Sequence, residues 1–262
     1  DTELPGWRQF QQIAGSEGNP RQLYVEMLED EWEFLDEVYQ NDPHVVSGLV
    51  DYEGFQRDRA ELEQYLASLQ DAPSSQLGSR EAQLAFWINA YNACVFAGVL
   101  DHPGITSVKD VKGFFDAIRY RIATKARTLN DIEAAGRALG DWRSHVGVVC
   151  ASTSCPPLRG EAYTPERVNE QLGEQARQFL SDPERGLRIE GSMLWLSQIF
   201  KWYASDFAPS VTGPFKRLTP QALLPAIRPW LAPEVARPLE QQPLASKHLR
   251  YDWSLNRQGA AP

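Results

Sequence analysis

The stretch HVGVVCASTSCPPLR, residues 145–159, brings the most reactive side chains of this sequence together. Its first part, residues 146–149, is short and rich in β-branched residues, which predicts a buried strand. A loop of small residues then leads to Cys155, and the ring of Pro156 keeps the Cys155 backbone out of the helical region. We therefore expect a strand followed by a loop that holds a thiol in a constrained position.

Two cysteines and one histidine in this stretch can form a nucleophile with its base, a disulfide, or half of a metal site. Side chains alternate between the two faces of a strand, so a regular strand points His145 and Cys150 apart. Cys155 follows a flexible loop that can fold back toward the imidazole, which makes it the better candidate nucleophile. Cys150 is predicted to be a small buried hydrophobic residue. A zinc site is the weakest option, because the spacing lacks a second close pair of ligands.

The composition favours a folded protein, since 42% of the residues are hydrophobic and 11% are aromatic. The formal net charge of −9 argues against nucleic acid or an anionic membrane surface as a partner. No apolar run approaches the ~18 residues of a membrane span. The sequence starts at Asp1 with a polar segment, as a mature chain does after loss of a signal peptide, so we expect a periplasmic or secreted location.

The chain is predicted to form a single domain, residues 1–262, with no internal repeat. Residues 1–20 contain several prolines and glycines and are predicted to form an N-terminal arm. Helical spacing of apolar residues predicts surface helices over residues 21–39 and 55–69. Toward the other end, residues 209–245 are rich in proline and contain short helical pieces.

Residues 79–100 are apolar on nearly every face, which predicts a central helix. Asn89 and Asn92 lie three residues apart, on roughly one side of that helix. Buried amides need partners, so these two side chains either bond to loop backbone or line a site. Together with Trp87 of the same helix, they are candidate substrate-binding residues.

The segment TLNDIE, residues 128–133, has the pattern of a helix start. Asn130 is predicted to be the N-cap, with Glu133 three residues later in the capping-box position. Further along, residues 187–189 and 193–196 are predicted to be two short strands, followed by an aromatic helix over residues 197–207.

Five blocks occur in the order, and nearly the spelling, of the domain-of-unknown-function 547 family. They are REAQLAFWINAYNA (80–93), LNDIE (129–133), HVGVVCASTSCPPLRGEAY (145–163), LSQIFKWYASDF (196–207) and YDWSLN (251–256). The resemblance covers residues 50–256, and the family resembles papain-like and transglutaminase-like thiol enzymes, many bacterial members being exported. It implies an α+β, helix-rich fold with a small antiparallel sheet packed on the central helix. By the same resemblance, Cys155, His145 and Glu133 would be nucleophile, base and orienting carboxylate.

The leading functional hypothesis is a hydrolase or acyltransferase that acts on an amide, peptide or γ-glutamyl-type carbonyl. His145 would take the proton of Cys155, and Glu133 would hold the imidazole. The Cys155 amide, helped by Asn89 or Ser154, would form the oxyanion hole. We expect no cofactor and no metal.

Two alternatives belong to other classes. One is a non-catalytic binding protein of the same fold that holds a peptide or a small thiol such as glutathione. The ligand's carboxylates would then meet Arg159 and the basic residues between Arg119 and Arg127. The other is a redox or structural role in which Cys150 and Cys155 form a disulfide.

Overall fold

The computed structural model describes residues 44–72, 77–211 and 218–259. The helices within them are α1 (Tyr52–Arg57), α2 (Arg59–Gln70), α3 (Arg80–Leu100), α4 (Leu129–Arg137), α5 (Ser144–Gly147), α6 (Val168–Ser181), α7 (Gln198–Trp202), α8 (Ala204–Phe207), α9 (Pro220–Ile227) and α10 (Pro233–Gln241). The strands are β1 (Val45–Val46), β2 (Leu49–Val50), β3 (Tyr120–Ile122), β4 (Lys125–Arg127), β5 (Leu187–Glu190), β6 (Met193–Leu196) and β7 (Ala245–His248). The predicted N-terminal arm and the predicted helix over 21–39 lie outside the described residues.

Helix α3 is the centre of the fold, as its composition predicts. Ser79 caps its first turn by accepting the N–H of Ala82 at 3.1 Å. Every residue from Leu84 to Leu100 is buried. Among the described residues, α3 is the one helix with the length and hydropathy of a membrane span, and 94% of that window is buried inside the protein. Such burial is typical of a core helix, because a helix that is apolar all round needs protein on every side.

The strands form three small sheets. β1 pairs with β2, and β3 pairs with β4, both antiparallel. β5 and β6 form the predicted antiparallel hairpin, and β7 adds to β6 in parallel. The α+β, helix-rich fold with small antiparallel sheets is confirmed, and the parallel strand β7 is an addition that the sequence did not indicate.

Two main clusters of apolar side chains make up the core. The first surrounds α3 and contains Cys94 and Cys155. The second is formed by α6, the β5–β6–β7 sheet and the helices that follow it, and Val146 belongs to it. The largest sheet therefore packs in the second cluster rather than on the central helix, and α5 lies where the two clusters meet.

The predicted strand over residues 146–149 is wrong. Residues Ser144–Gly147 form the short helix α5, and residues 148–150 continue as irregular backbone. The Asp141 carboxylate starts the turn by accepting the N–H of Arg143 at 3.0 Å, and Ser144 Oγ donates to the Asp141 carbonyl. These side-chain bonds favour a helical turn over an extended strand. His145 and Cys150 are therefore not held apart by strand alternation.

Candidate active site

A cavity of about 660 Å³ lies between α4, α5, α7 and the last described segment of the chain. Its lining includes Cys150, Cys155, His145 and Glu133. The three residues of the predicted triad therefore reach one cavity, together with the second cysteine. A cavity of this volume is large enough for a small-molecule or short peptide ligand.

The two thiols face each other at the cavity wall. Cys150 Sγ lies 2.8 Å from Cys155 Sγ, and both cysteines are free thiols. The backbone N–H of Cys150 donates to Cys155 Sγ at 3.0 Å. Ser152 Oγ and the Tyr251 hydroxyl lie 3.1 Å and 3.3 Å from Cys150 Sγ. Cys150 is thus surrounded by three side chains that can donate a hydrogen bond to its sulfur.

This arrangement changes the acidity of the pair. The hydrogen bond from the Cys155 thiol, with those from Ser152 and Tyr251, lowers the pKa of Cys150 to about 7. Burial raises the pKa of the Cys155 thiol well above its usual range, and burial also raises that of Tyr251. Two thiols in contact cannot both ionise easily, so one sulfur carries the charge while the other keeps its proton. The hydroxyl groups of Ser152 and Tyr251 beside Cys150 Sγ favour the charge on that sulfur.

The loop that carries the cysteines is fastened by the distant C-terminal segment. The N–H of Thr153 donates to the Ser254 carbonyl at 2.8 Å, and Ser154 exchanges two hydrogen bonds with Asp252. Ala151 has φ +62, a left-handed conformation that only glycine adopts at low cost. Such backbone strain persists when the surrounding hydrogen bonds fix the conformation. The strained residue, Ala151, is the residue between Cys150 and Ser152.

His145 is held from behind by a carboxylate that the sequence analysis did not select. Its Nε2 lies 2.9 Å from Asp206 Oδ2, and Arg137 Nε donates to the same oxygen at 2.8 Å. Hydrogen bonds to His145 and Arg137 hold the pKa of Asp206 well below its usual range. An ionised carboxylate can only accept, so Nε2 carries the hydrogen and Nδ1 is the nitrogen available for proton exchange. The imidazole also lies against the Tyr203 ring, with centroids 4.1 Å apart.

Glu133 does not have the capping role that its position predicted. The N-cap of α4 is Thr128 and its capping-box partner is Asp131, two residues before the predicted pair. Glu133 instead lines the cavity, with Oε1 3.9 Å from His145 Nδ1, which is beyond hydrogen-bond distance. Burial, together with the charge of Glu133, raises the pKa of Tyr203 well above its usual range. Glu133 therefore lies on the Nδ1 side of the imidazole.

The amides of α3 bond to backbone rather than to the cavity. Asn92 accepts the N–H of Val149 at 2.8 Å and donates to the Gly147 carbonyl at 3.0 Å. Asn89 makes the equivalent pair of bonds with Tyr163, at 3.0 Å and 2.8 Å. The ring of Trp87 lies 5.0 Å from the Arg127 guanidinium. These three predicted binding residues lie outside the described lining of the large cavity.

The side chains of Ser154 and Arg159 also bond to other residues of the protein. The hydroxyl of Ser154 accepts the N–H of Asp252 at 2.8 Å. Arg159 forms ion pairs with Glu161 and, at 2.8 Å, with Glu174. The N–H of Cys155 donates to the Ser152 carbonyl at 3.0 Å. The predicted oxyanion hole of the Cys155 amide with Asn89 or Ser154 is therefore not formed in this structure.

Replacing Asp206 with asparagine is expected to lower the free energy of unfolding near pH ~7 by about 1–2 kcal/mol, because asparagine lacks the charge that Arg137 and His145 meet. The pKa of Asp206 is depressed by folding, so its charge stabilises the fold above the unfolded value of ~3.9. This stabilisation begins to decrease below the unfolded pKa and is lost as the pH falls through the lowered pKa of Asp206 in the folded protein. Urea unfolding near pH ~7 and pH ~3 should show the difference between wild type and variant shrinking in acid.

The control for this substitution is Asp71→Asn. Asp71 pairs with Arg121 at 3.0 Å, but both side chains are more than half exposed. Exposed pairs contribute little to stability, so this variant should unfold like wild type at both pH values. An Asp206→Asn effect of equal size at the two pH values would contradict the assignment.

Within the described part of the chain, no group of three or more His, Cys, Asp and Glu side chains could hold a metal ion. Comparison with curated proteins found no match, and comparison with solved structures found none either. Residues 75–180 match the model of the family described as protein of unknown function, DUF547. The match includes α3, Glu133, His145 and both cavity cysteines, and it ends before the blocks at 196–207 and 251–256. The chain is therefore similar to the DUF547 family over less than half of its length.

Proposed function

We propose that this protein is a thiol-nucleophile enzyme, a hydrolase or acyltransferase that attacks the carbonyl carbon of an amide, peptide or γ-glutamyl-type substrate. The observation that carries the proposal is the Cys150–Cys155 thiol pair on the wall of a substrate-sized cavity that also contains His145. A papain-like or transglutaminase-like relationship and a periplasmic or secreted location belong to the same proposal, and the sequence blocks of residues 50–256 support them.

The reaction assigns a separate role to each group. The Cys150 thiolate attacks the carbonyl carbon and forms a C–S bond while the C–N bond breaks. His145, protonated at Nδ1, gives that proton to the departing amine, and Asp206 keeps the imidazole oriented through Nε2. Water, or an acceptor amine, then attacks the thioester carbonyl carbon and gives a proton to His145 Nδ1. The C–S bond breaks, and the Cys150 sulfur leaves as a thiolate.

Two roles in this proposal differ from the triad that the sequence predicts. Cys150 replaces Cys155 as the attacking sulfur, because Cys155 is 5% exposed and Cys150 is half-buried with donors around its sulfur. Asp206 replaces Glu133 as the orienting carboxylate, because it makes the hydrogen bond to the imidazole at 2.9 Å. Cys155 then acts as the donor that stabilises the Cys150 thiolate.

Alkylation of the native protein with iodoacetamide between pH ~5 and ~9, followed by peptide mapping, tests the proposal. Cys150 should be labelled first, with a midpoint near the lowered pKa of about 7. Cys94 is the internal control: it is fully buried, burial raises its pKa, and it should stay unlabelled. If Cys155 is labelled first, then Cys155 and not Cys150 is the nucleophile. Labelling of neither thiol below pH ~8.5 would refute a reactive thiolate.

A dithiol redox function is the second candidate, favoured by the 2.8 Å contact between the two sulfurs. In this reaction the two thiols lose two electrons and two protons to a disulfide substrate, which is reduced to two thiols. The same labelling experiment separates the candidates. Redox function predicts that oxidised glutathione abolishes the labelling of Cys150 and that dithiothreitol restores it. The acyl-transfer function predicts that Cys150 is still labelled after treatment with oxidised glutathione.

A further inference from the structure

One wall of the cavity is a continuous surface of aromatic rings. Tyr251, whose hydroxyl lies 3.3 Å from Cys150 Sγ, contacts Trp253 with ring centroids 4.6 Å apart. Trp253 stacks with Trp202 at 5.8 Å and an interplanar angle of 29°. Phe115 also lies near Trp253, with ring centroids 6.3 Å apart. The aromatic wall, as we name these four residues, therefore extends outward from the thiol pair.

Trp202 is unusual among these residues because it is 46% exposed. Large apolar side chains that line a cavity and remain this exposed are typical of ligand contact surfaces. Its indole is nevertheless not free to move independently, since it lies against Trp253 and 4.8 Å from Tyr251. A preformed aromatic surface of this kind binds flat apolar groups with little loss of conformational entropy.

The aromatic wall ends at a lysine. Lys109 Nζ lies 4.1 Å from the Trp253 ring centroid and 5.8 Å from that of Phe115. The short 3₁₀ helix that carries Lys109, Val108–Asp110, is fastened to the wall because Ser107 Oγ donates to the Trp253 carbonyl at 2.7 Å. The ammonium group therefore has a defined position relative to Trp253.

Lys109 has no carboxylate partner within the described part of the chain. The adjacent Asp110 is occupied, since it accepts hydrogen bonds from Thr106 and Ser107. Lys112 also lines the cavity and forms no ion pair with a described residue, although Asp116 and Glu133 lie in the same lining. An ammonium group held on aromatic rings and left without a counter-ion is suited to bind an anionic ligand group.

We infer that the aromatic wall and Lys109 form a binding subsite for amide substrates that carry a free carboxylate next to a flat apolar group. The flat group lies on the exposed ring of Trp202, and the carboxylate binds Lys109. This inference rests on the proposed function, because it names the substrate class of the same site. Binding of the ligand to the aromatic wall and Lys109 does not itself require a reactive thiol.

Calorimetric titration with three matched probes tests the subsite. The probes are N-acetyl-L-phenylalanine, its amide N-acetyl-L-phenylalaninamide, which lacks the carboxylate, and N-acetylglycine, which lacks the ring. N-acetyl-L-phenylalanine should bind wild type about tenfold more tightly than either other probe, since a charge-assisted hydrogen bond and a stacked ring each contribute at about that level. Undetectable binding of this probe, or equal binding of all three, overturns the inference.

Three variants show which residues cause the two probe preferences. Lys109→Gln should remove the preference for N-acetyl-L-phenylalanine over its amide, and Trp202→Ala should remove the preference over N-acetylglycine. Lys125→Gln is the matched control, because Lys125 is an exposed lysine on β4 outside the cavity lining, and it should leave both preferences intact. A Lys109→Gln protein that keeps the carboxylate preference overturns the inference.

The double variant Cys150→Ser, Cys155→Ser separates this inference from the proposed function. It should keep the probe preferences, because neither sulfur belongs to the aromatic wall. Probe preferences together with an unreactive thiol pair in wild type would refute the enzyme function and support the subsite. A reactive Cys150 without any probe preference would support the enzyme function and refute the subsite.

Discussion

Replacing Asn92 with alanine is expected to lower the free energy of unfolding by about 2–6 kcal/mol, because two buried backbone groups lose their partner and each costs about 1–3 kcal/mol. These groups are the Gly147 carbonyl and the Val149 N–H, at 3.0 Å and 2.8 Å from the Asn92 amide. They flank the point where α5 ends and the chain turns toward Cys150. Urea unfolding near pH ~7 measures the loss, and thiol alkylation should show an altered midpoint for Cys150.

Asn89→Ala is the matched control for this substitution. Asn89 is on the same helix, is equally buried, and bonds to the backbone N–H and carbonyl of Tyr163. Its loss should destabilise the protein by a similar amount, since the same number of buried groups loses a partner. The alkylation midpoint of Cys150 should remain unchanged in this variant. If both variants shift that midpoint equally, Asn92 has no specific role in positioning the thiol loop.

The parts of the fold that depend on local pattern could be predicted from the sequence. Helix α3 follows from an apolar run with a serine cap, and the β5–β6 hairpin follows from two short apolar segments around Gly191. The need of Asn89 and Asn92 for buried partners could be predicted as well. The sequence did not show whether these amides bond to loop backbone or line the cavity, because their partners lie more than fifty residues away in the chain.

The parts that depend on long-range partners were missed. The β-branched residues after His145 predict a strand, but the backbone there bonds to Asn92 of α3, so tertiary contacts override local propensity. Asp206 was not selected because a single acidic residue in an aromatic segment carries no spacing pattern that points to His145. It could have been noticed only as the one carboxylate in the block LSQIFKWYASDF. The cap of α4 was placed two residues late, an error of the usual size for helix boundaries.

Replacing Cys150 with serine is expected to abolish thiol labelling near pH ~7, because Cys155 and Cys94 are buried and their pKa values are raised. This is the largest effect that we predict for the site. A Cys155→Ala variant separates the contribution of Cys155 from that of the other donors. It removes the thiol that donates to the Cys150 sulfur, so the pKa of Cys150 should rise from about 7 toward the ordinary value of ~8.5.

The rate of alkylation should then change in opposite directions at low and high pH. Near pH ~7 the thiolate fraction falls roughly fifteenfold, but a more basic thiolate is roughly fivefold more nucleophilic, so the variant should react about threefold more slowly. Above pH ~9 both proteins are mainly ionised, and the variant should react about four- to fivefold faster for the same reason. Stopped-flow measurement across this range should therefore give two rate profiles that cross between pH ~7 and ~9. Profiles that never cross would mean that Cys155 affects access to Cys150 rather than its ionisation, and the role of Cys155 as a donor to the thiolate would have to be abandoned.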